Sequence, residues 1–383
     1  MRPLSPFKFF MRNKKRVSII VVILMCSVSV VAFITSIVNN IIITAKDGNL
    51  RPFEYGSAVA SIPGEFFIRD EILEKINSYE ATDKVINVII EDTMFAAIMG
   101  NTNIPLYFVG TEENIAELLN VFDTKLTAGR LPQENEYEVV LHEKILKNKS
   151  LKVGDFIGSD VNENEFLSGK YLIVGSINGN AITGFGSRSS IADAYESAGL
   201  SLDKPQAVLV VPKKNQLDNL NKELDKLSNK EASVYTHSSL KRQLDAQIGS
   251  INAILNIIIF VTVFVLAISV GSLVYIIYLG RSDEFGILYA MGYKRGFIYK
   301  RIVGELAFLN IFCWILGFIM SLVMIHMLNL SLLDNKGQTM PLMTLQATLN
   351  TLIIPIMVLT CAAFPILYKL NKWDPIAIIE RRD

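Results

Sequence analysis

Charge is scarce in this chain, and what there is cancels: 37 Lys and Arg stand against 37 Asp and Glu among 383 residues, and charged residues make up only 19%. A balanced total excludes the basic surplus that marks nucleic-acid binders. Cysteine is rarer still. Cys26, Cys313 and Cys361 all fall inside apolar runs, so residues 46–245 contain none and have no disulfide framework. That segment must hold itself by an apolar core, which a unit of about 200 residues can build. Catalytic and nucleotide signatures are missing too. No GxxxxGK[ST], nucleophile elbow, HExxH or paired-cysteine motif occurs, and His142 and His237 have no metal-ligand spacing. The chain is therefore expected not to be an enzyme and to carry no metal or cofactor of its own.

Hydrophobic residues, by contrast, reach 51%. They gather in four stretches with no charge at all, 17–43, 251–279, 306–333 and 342–368. Each exceeds the roughly 20 residues with which an α-helix crosses a hydrocarbon core of about 30 Å. The bilayer requires helix, because it offers no water to unpaired amides. Four transmembrane helices are expected, within 17–43, 251–279, 302–333 and 342–368. The first follows a basic run, Arg12, Lys14, Lys15 and Arg16, as a signal peptide would, but it is much longer than a signal's apolar core of about 7 to 15 residues. An uncleaved anchor is the better reading.

Orientation follows from Lys and Arg near the span ends. The basic, amphipathic segment 1–16, the loop 280–301 and the tail 369–383 hold 15 basic residues against five acids, while the connection 334–341 has only Lys336 against Asp334. The three basic pieces, both termini included, are expected in the cytoplasm. Residues 46–245, with 21 basic and 30 acidic residues, then lie outside the cell.

The outside segment has a mixed α+β pattern. Strands are expected at 84–90, 106–109, 136–141, 171–174 and 207–211. Helices are expected at 112–120 behind Thr111 as N-cap, at 142–148, and after Pro212, where Leu217, Leu220, Leu224 and Leu227 form a stripe. Gly154-Asp155 is a turn before Phe156. Residues 176–203, which include GNAITGFGSRSS, are rich in Gly, Ser and Asn and suggest a flexible loop rather than a phosphate cradle. Residues 239–257 contain no Pro and can prolong the second span outward as one helix.

The loop between the second and third spans carries the most information. After Arg281, Asp283 and Glu284 suit a helix N-terminus, Phe285, Ile287, Leu288 and Met291 are apolar, and Gly292 suits a C-terminal cap. A short amphipathic helix is expected at the cytoplasmic face, able to lie on lipid headgroups or to fill a groove on a partner. Glu305 stands four residues after Arg301, the spacing of an interfacial ion pair. Of the remaining polar residues in the spans, Ser27, Ser29, Ser36, Asn39 and Asn40 are expected to help helices associate. His326 is expected to hydrogen-bond between helices or sit near the outer interface, and Pro355 and Pro365 to bend the fourth span.

Arg281, Glu284, Gly286, Ile287, Leu288, Ala290, Met291 and Gly292, in that order, resemble the coupling region of the MacB/FtsX family of ABC transporter permeases. Glu305 matches the acid early in that family's next span, and Asp374-Pro375-Ile376 its terminal motif. Gly129-Arg130-Leu131-Pro132, Glu138-Val139-Val140-Leu141, Val153-Gly154-Asp155 and Ile173-Val174-Gly175 are similar to its extracytoplasmic core domain. The resemblance implies an α-helical four-span bundle with a mixed α+β extracytoplasmic domain between the first two spans. It further implies a homodimer in the bacterial cell membrane, working with two copies of a cytoplasmic ATPase that bind ATP and Mg, in contact with Arg281, Glu284 to Leu288 and Ala290 to Gly292. ATP hydrolysis would move the extracytoplasmic domain through rigid helices and expel an amphiphilic peptide, antibiotic or lipid, with a possible extracytoplasmic adaptor. Alternatives within the family are signalling to a cell-wall hydrolase and sensing of antimicrobial peptides.

Overall fold

The computed structural model describes residues 14–97, 100–197, 199, 204–228, 231–342 and 344–372. Arg2, Lys8, Arg12, Arg381, Arg382 and the Asp374-Pro375-Ile376 motif lie outside the described residues. In chain order the elements are α1 (Lys14–Asn49), a 3-10 turn (Arg51–Phe53), β1 (Ser57–Ala60), α2 (Asp70–Asn77), β2 (Thr82–Ala97), β3 (Gly100–Val109), α3 (Glu112–Val121) and β4 (Thr124–Gly129). There follow β5 (Glu138–His142), α4 (Glu143–Lys149), β6 (Phe156–Ile157), β7 (Tyr171–Gly179), β8 (Gly184–Ser187), α5 (Arg188–Ser197), β9 (Ala207–Pro212), α6 (Leu217–Leu224) and β10 (Ser233–Tyr235). The membrane part resumes with α7 (His237–Leu279), α8 (Ser282–Ala290), α9 (Arg295–Leu328) and α10 (Leu345–Lys372). Two compact units result, one of residues 40–249 with 329–339, the other of the remaining chain. The chain passes between them four times, and the first two passages fall inside the unbroken helices α1 and α7.

The first unit is a ten-stranded mixed sheet in the order β10-β1-β9-β2-β3-β8-β5-β7-β4, with β6 on β7. Alternate residues of its strands feed opposite faces. Tyr107 and Val109 of β3 join Ile115, Leu118 and Phe122 around α3, while Leu106 and Phe108 join Ile145 and Leu146 of α4. In β9, Ala207 and Leu209 go to the first face, and Val208 and Val210 pack with Ile72, Ile76, Leu220 and Leu224 of α2 and α6. Because both faces are covered, the central strands are apolar without alternation. That explains why 84–90, 106–109 and 207–211 stood out as strands. Thr111 caps α3 as expected, its hydroxyl accepting from Asn114 N at 3.2 Å.

Two expectations need correction. The described part of 176–203, residues 176–197 with 199, is not simply a flexible loop: Ser176 to Gly179 finish β7, Gly184–Ser187 is the buried strand β8, and Arg188–Ser197 is α5. Strand β8 lies between β3, which it pairs parallel, and β5, which it pairs antiparallel. Its glycines exist because its neighbours leave no room. A Cβ on Gly184 would stand 2.7 Å from Val140 O, and one on Gly186 2.4 Å from a Phe108 ring carbon. The second correction is length. Strands β2 and β3 pair from Val88↔Val109 to Ala97↔Gly100, well past the apolar stretches, through a polar extension containing Asp92, Thr93, Asn101 and Asn103.

One corner of the sheet explains the Gly-Arg-Leu-Pro segment. Gly129 has φ +77, and a Cβ there would meet Val174 O at 2.1 Å, so no other residue fits. Arg130 then forks onto the buried Glu138, its Nη1 reaching Oε2 at 2.6 Å and its Nη2 pairing with Oε1. The hydrogen bond from Arg130 holds the Glu138 carboxyl below the usual carboxylate range.

His142, expected to have no metal partners, closes β5 and caps α4. Its Nδ1 accepts from Lys144 N at 3.0 Å and its Nε2 faces Gly179 O at 3.3 Å, which fixes a neutral ring with the proton on Nε2. Burial pushes its pKa down to about 4. Because the folded value lies below the unfolded value of about 6.5, the unfolded chain takes up the proton first as pH falls. Full stability is expected above about pH 6.5, with loss of about 3 kcal/mol between there and about pH 4. Denaturant unfolding of the full chain at several pH values checks this: His142→Asn, which keeps an acceptor for Lys144 N, should remove most of that slope.

Among the described residues, the second unit contains four helices long and apolar enough to cross a membrane. Its core runs through Leu24, Val28, Val263, Ala267, Ile302, Leu306, Ile354 and Val358. α1 and α9 meet at Gly317, where a Cβ would lie 2.6 Å from Met25 O, a close approach that small residues permit between membrane helices. Ser29 donates to Met324 Sδ at 3.4 Å and Asn39 to Thr344 Oγ1 at 3.0 Å, so both help helices associate. His326 is exposed in the last turn of α9, and α10 continues through Pro355 and Pro365.

Candidate functional site

Helix α8 fills the short connection between the second and third membrane helices, where the charge pattern and the C-terminal Gly292, at φ +91, bound it as expected. Its position is set from beneath by a charged cluster. Arg281 is 5% exposed and Glu305 3%; Arg281 Nη1 reaches Glu305 Oε2 at 2.8 Å, and Arg281 Nε reaches Glu284 Oε2 at 3.0 Å. Arg301 Nε lies 3.3 Å from Glu305 Oε1, the pair its spacing announced, and Tyr278 OH donates to Glu305 Oε2 at 3.2 Å. The guanidinium also packs on two rings that stack with each other, 5.2 Å from the centroid of Tyr278 and 5.1 Å from that of Phe285. Glu305 thus takes hydrogen bonds from three side chains, one on α7, one at the N-cap of α8 and one on its own helix α9. A buried charge pair satisfied in this way fixes geometry even where its net contribution to stability is small.

The residues singled out in this segment divide into two sets. Arg281, Phe285, Gly286 and Leu288 face inward, and Glu284 is half-buried. Ile287, Ala290, Met291 and Gly292 face outward; Ile287 is 53% exposed and Met291 60%. The side chain of Asp283 lies outside the described residues. Past the helix, Tyr293 and Phe297 stack at 5.2 Å and Arg295 packs on Tyr289 at 5.4 Å, which prolongs the exposed surface with aromatic groups. The arrangement is a short helix with an anchored inner face and an outer face that is apolar rather than charged.

Spacing along the chain identified Arg301 and Glu305 but not the link from Glu305 to Arg281. That link joins residues 24 apart across a helical hairpin. A signal was present: Arg281 stands just past the uncharged run 251–279 and Glu305 just before the run 306–333, so an antiparallel hairpin brings them level.

The exported domain has its own concavity, a cleft of about 470 Å³. Its floor includes Ala58, Ala60 and Ala207 on adjacent strands, Phe53 and Tyr235 line it, and Glu65 stands among its polar groups. The size and mostly apolar lining are those of small-molecule sites.

Residues 256–372 match the family model described as FtsX-like permease C-terminal. Among solved structures, the periplasmic region of MacB from Actinobacillus actinomycetemcomitans is 14% identical, with a TM-score of 0.32, over 51% of this chain and 96% of its own. The extracellular domain of the noncanonic ABC-type transporter YknZ from Gram-positive bacteria is 10% identical, with a TM-score of 0.30, over 48% and 99%. No curated protein matches the sequence.

Proposed function

From the match of residues 256–372 to the FtsX-like permease C-terminal model we propose that this chain is the permease subunit of an ABC transporter, which couples a separate cytoplasmic ATPase to movement of its extracytoplasmic domain and expels an amphiphilic substrate. The chain works as a pair with two ATPase copies, which hold the ATP and Mg. The Lys and Arg distribution supports a cytoplasmic position for both termini and residues 280–301. Helix α8 then faces the ATPase.

The observation that carries this reading is the two-sided character of α8. Glu305 and Arg281 hold its inner face to the membrane helices, so a push on the outer face through Ile287 and Met291 is passed on rather than absorbed. Unbroken α1 and α7, of 36 and 43 residues, are long enough at about 1.5 Å per residue to leave the bilayer as rigid rods. The cleft beside Phe53 and Tyr235 has the lining that the apolar part of an amphiphile requires.

Ile287→Glu and Met291→Glu, co-expressed with the ATPase, are expected to reduce its co-purification at least tenfold while the chain still inserts and its exported domain still folds. Undiminished co-purification of both variants would sink the reading. Substrate-dependent survival or efflux supports export; a bound cell-wall hydrolase and altered cell shape with no solute moved would assign the same motion to signalling.

A further inference from the structure

We propose that Asn148 clasps the connection between the third and fourth spans to the exported domain, so that these two spans, as well as α1 and α7, move with that domain. The connection is not a free external loop. Residues 329–339 form part of the same compact unit as the sheet, folded as a π turn at Asn329–Leu333 and a 3-10 turn at Asp334–Lys336.

Three segments meet at one side chain. The Asn148 amide, at the end of α4, donates to Ala96 O at 2.9 Å and to Lys336 O at 2.9 Å, and its Oδ1 accepts from Ala96 N at 2.8 Å. Ala96 belongs to the tip of the long β2–β3 hairpin, and the same Ala96 carbonyl accepts from Gln338 Nε2. Asn148 therefore uses both its donors and its acceptor, and each partner is a backbone group that no side-chain substitution nearby can replace. Gly337 completes the contact. It has φ +63, and a Cβ would lie 2.5 Å from Lys144 O and 3.0 Å from Lys144 Cα, so the connection lies directly against the backbone of α4. The far end is tied separately, Asn40 of α1 donating to Thr339 O at 3.3 Å.

A connection of eleven residues held at Lys336, Gln338 and Thr339 has little slack. Any displacement of the exported domain draws on the outer ends of α9 and α10, and any shift of those helices is delivered to the hairpin tip. Asn148 is a positioning residue in this scheme: it touches no substrate and sets which helices share the motion. The clasp stands on its own geometry, whereas its mechanical consequence rests on the permease reading.

The test uses the full chain in lipid nanodiscs, with and without its ATPase. Asn148→Ala opens the clasp from the domain side, Gly337→Val opens it from the connection side, and Asn148→Asp keeps the acceptor for Ala96 N while losing both donors. Hydrogen exchange of a peptide covering 333–340 is expected to speed up at least tenfold in all three, with β5 and β7 as protected as in the unaltered chain. The ATP-dependent change in exchange of the exported domain is expected to fall at least threefold, with ATPase co-purification unaltered. Unchanged exchange at 333–340 in the three variants would overturn the clasp. Faster exchange there with a full ATP response would overturn its mechanical role. An unaltered chain that binds no ATPase would sink the permease reading instead, and the exchange measurement would still decide the clasp.

Discussion

Glu305→Ala is expected to destabilise the hairpin of the second and third membrane helices by about 3–5 kcal/mol, because it leaves Arg281 buried without its carboxylate. Arg281 is 5% exposed; Glu284, which still reaches it, has a side chain 43% exposed and is screened by water, and the Tyr278 and Phe285 rings on which the guanidinium packs carry no balancing charge. The tilt of α8 should go with it, and ATPase co-purification should fall by at least tenfold. Arg281→Met with Glu305→Leu separates the two consequences. A buried ion pair replaced by apolar groups of similar volume is often neutral or better for stability, so unfolding in detergent should return close to that of the unaltered chain. ATPase co-purification should not recover, since nothing then specifies the orientation of α8. Equal instability of the single and double variants would show that packing at this site, and not the charge pair, holds the hairpin.

Gly184→Val is the second large effect, an expected loss of about 3 kcal/mol or more. The clash is with a carbonyl oxygen of the neighbouring strand, 2.7 Å from the added Cβ, and with Leu141 and Leu106 side chains at 2.7 and 2.9 Å. Side chains can rotate away, but Val140 O is fixed by its ladder. Gly64, where a Cβ meets nothing within 4 Å, is the internal control for crowding, although its φ of +98 makes Ala there mildly strained. Limited proteolysis of the full chain in membranes reports the outcome: Gly184→Val should expose the sheet to cleavage while the membrane helices stay protected. A change within about 0.5 kcal/mol, as for an exposed loop, would remove β8 from the centre of the sheet.

These two sites mark the limits of what the sequence discloses. The membrane helices were legible because lipid imposes a single requirement on about 20 consecutive residues. Strands covered on both faces were legible for a similar reason, as in Ala207 to Val211. β8 was not, because its neighbours Phe108 and Leu141 are large and β8 must be small, so a central strand acquired the composition of a loop. The outer half of the β2–β3 hairpin was missed because its ladder is built from backbone groups under polar side chains. In the candidate site, Arg301 and Glu305 are neighbours on one helix, a relation that spacing reveals. Arg281 reaches Glu305 only through the hairpin, and Asn148 bonds to main-chain atoms alone, for which no sequence pattern exists.

The strand order also governs how the domain is made. β9 sits between β1 and β2, so the apolar edge of β2 has no neighbour until residues some 110 positions beyond Ala97 have been synthesised and have crossed the membrane. At about 5–20 residues per second that is an interval of roughly 5–20 s, during which Val85, Ile86 and Val88 border an open row of amides and carbonyls. Asp83 and Lys84, both exposed in the finished sheet, flank that row with charge of each sign. In the finished domain Lys84 pairs with Glu117 of α3; before β9 arrives, the same charge helps to guard an edge that exists only while the chain is still being made.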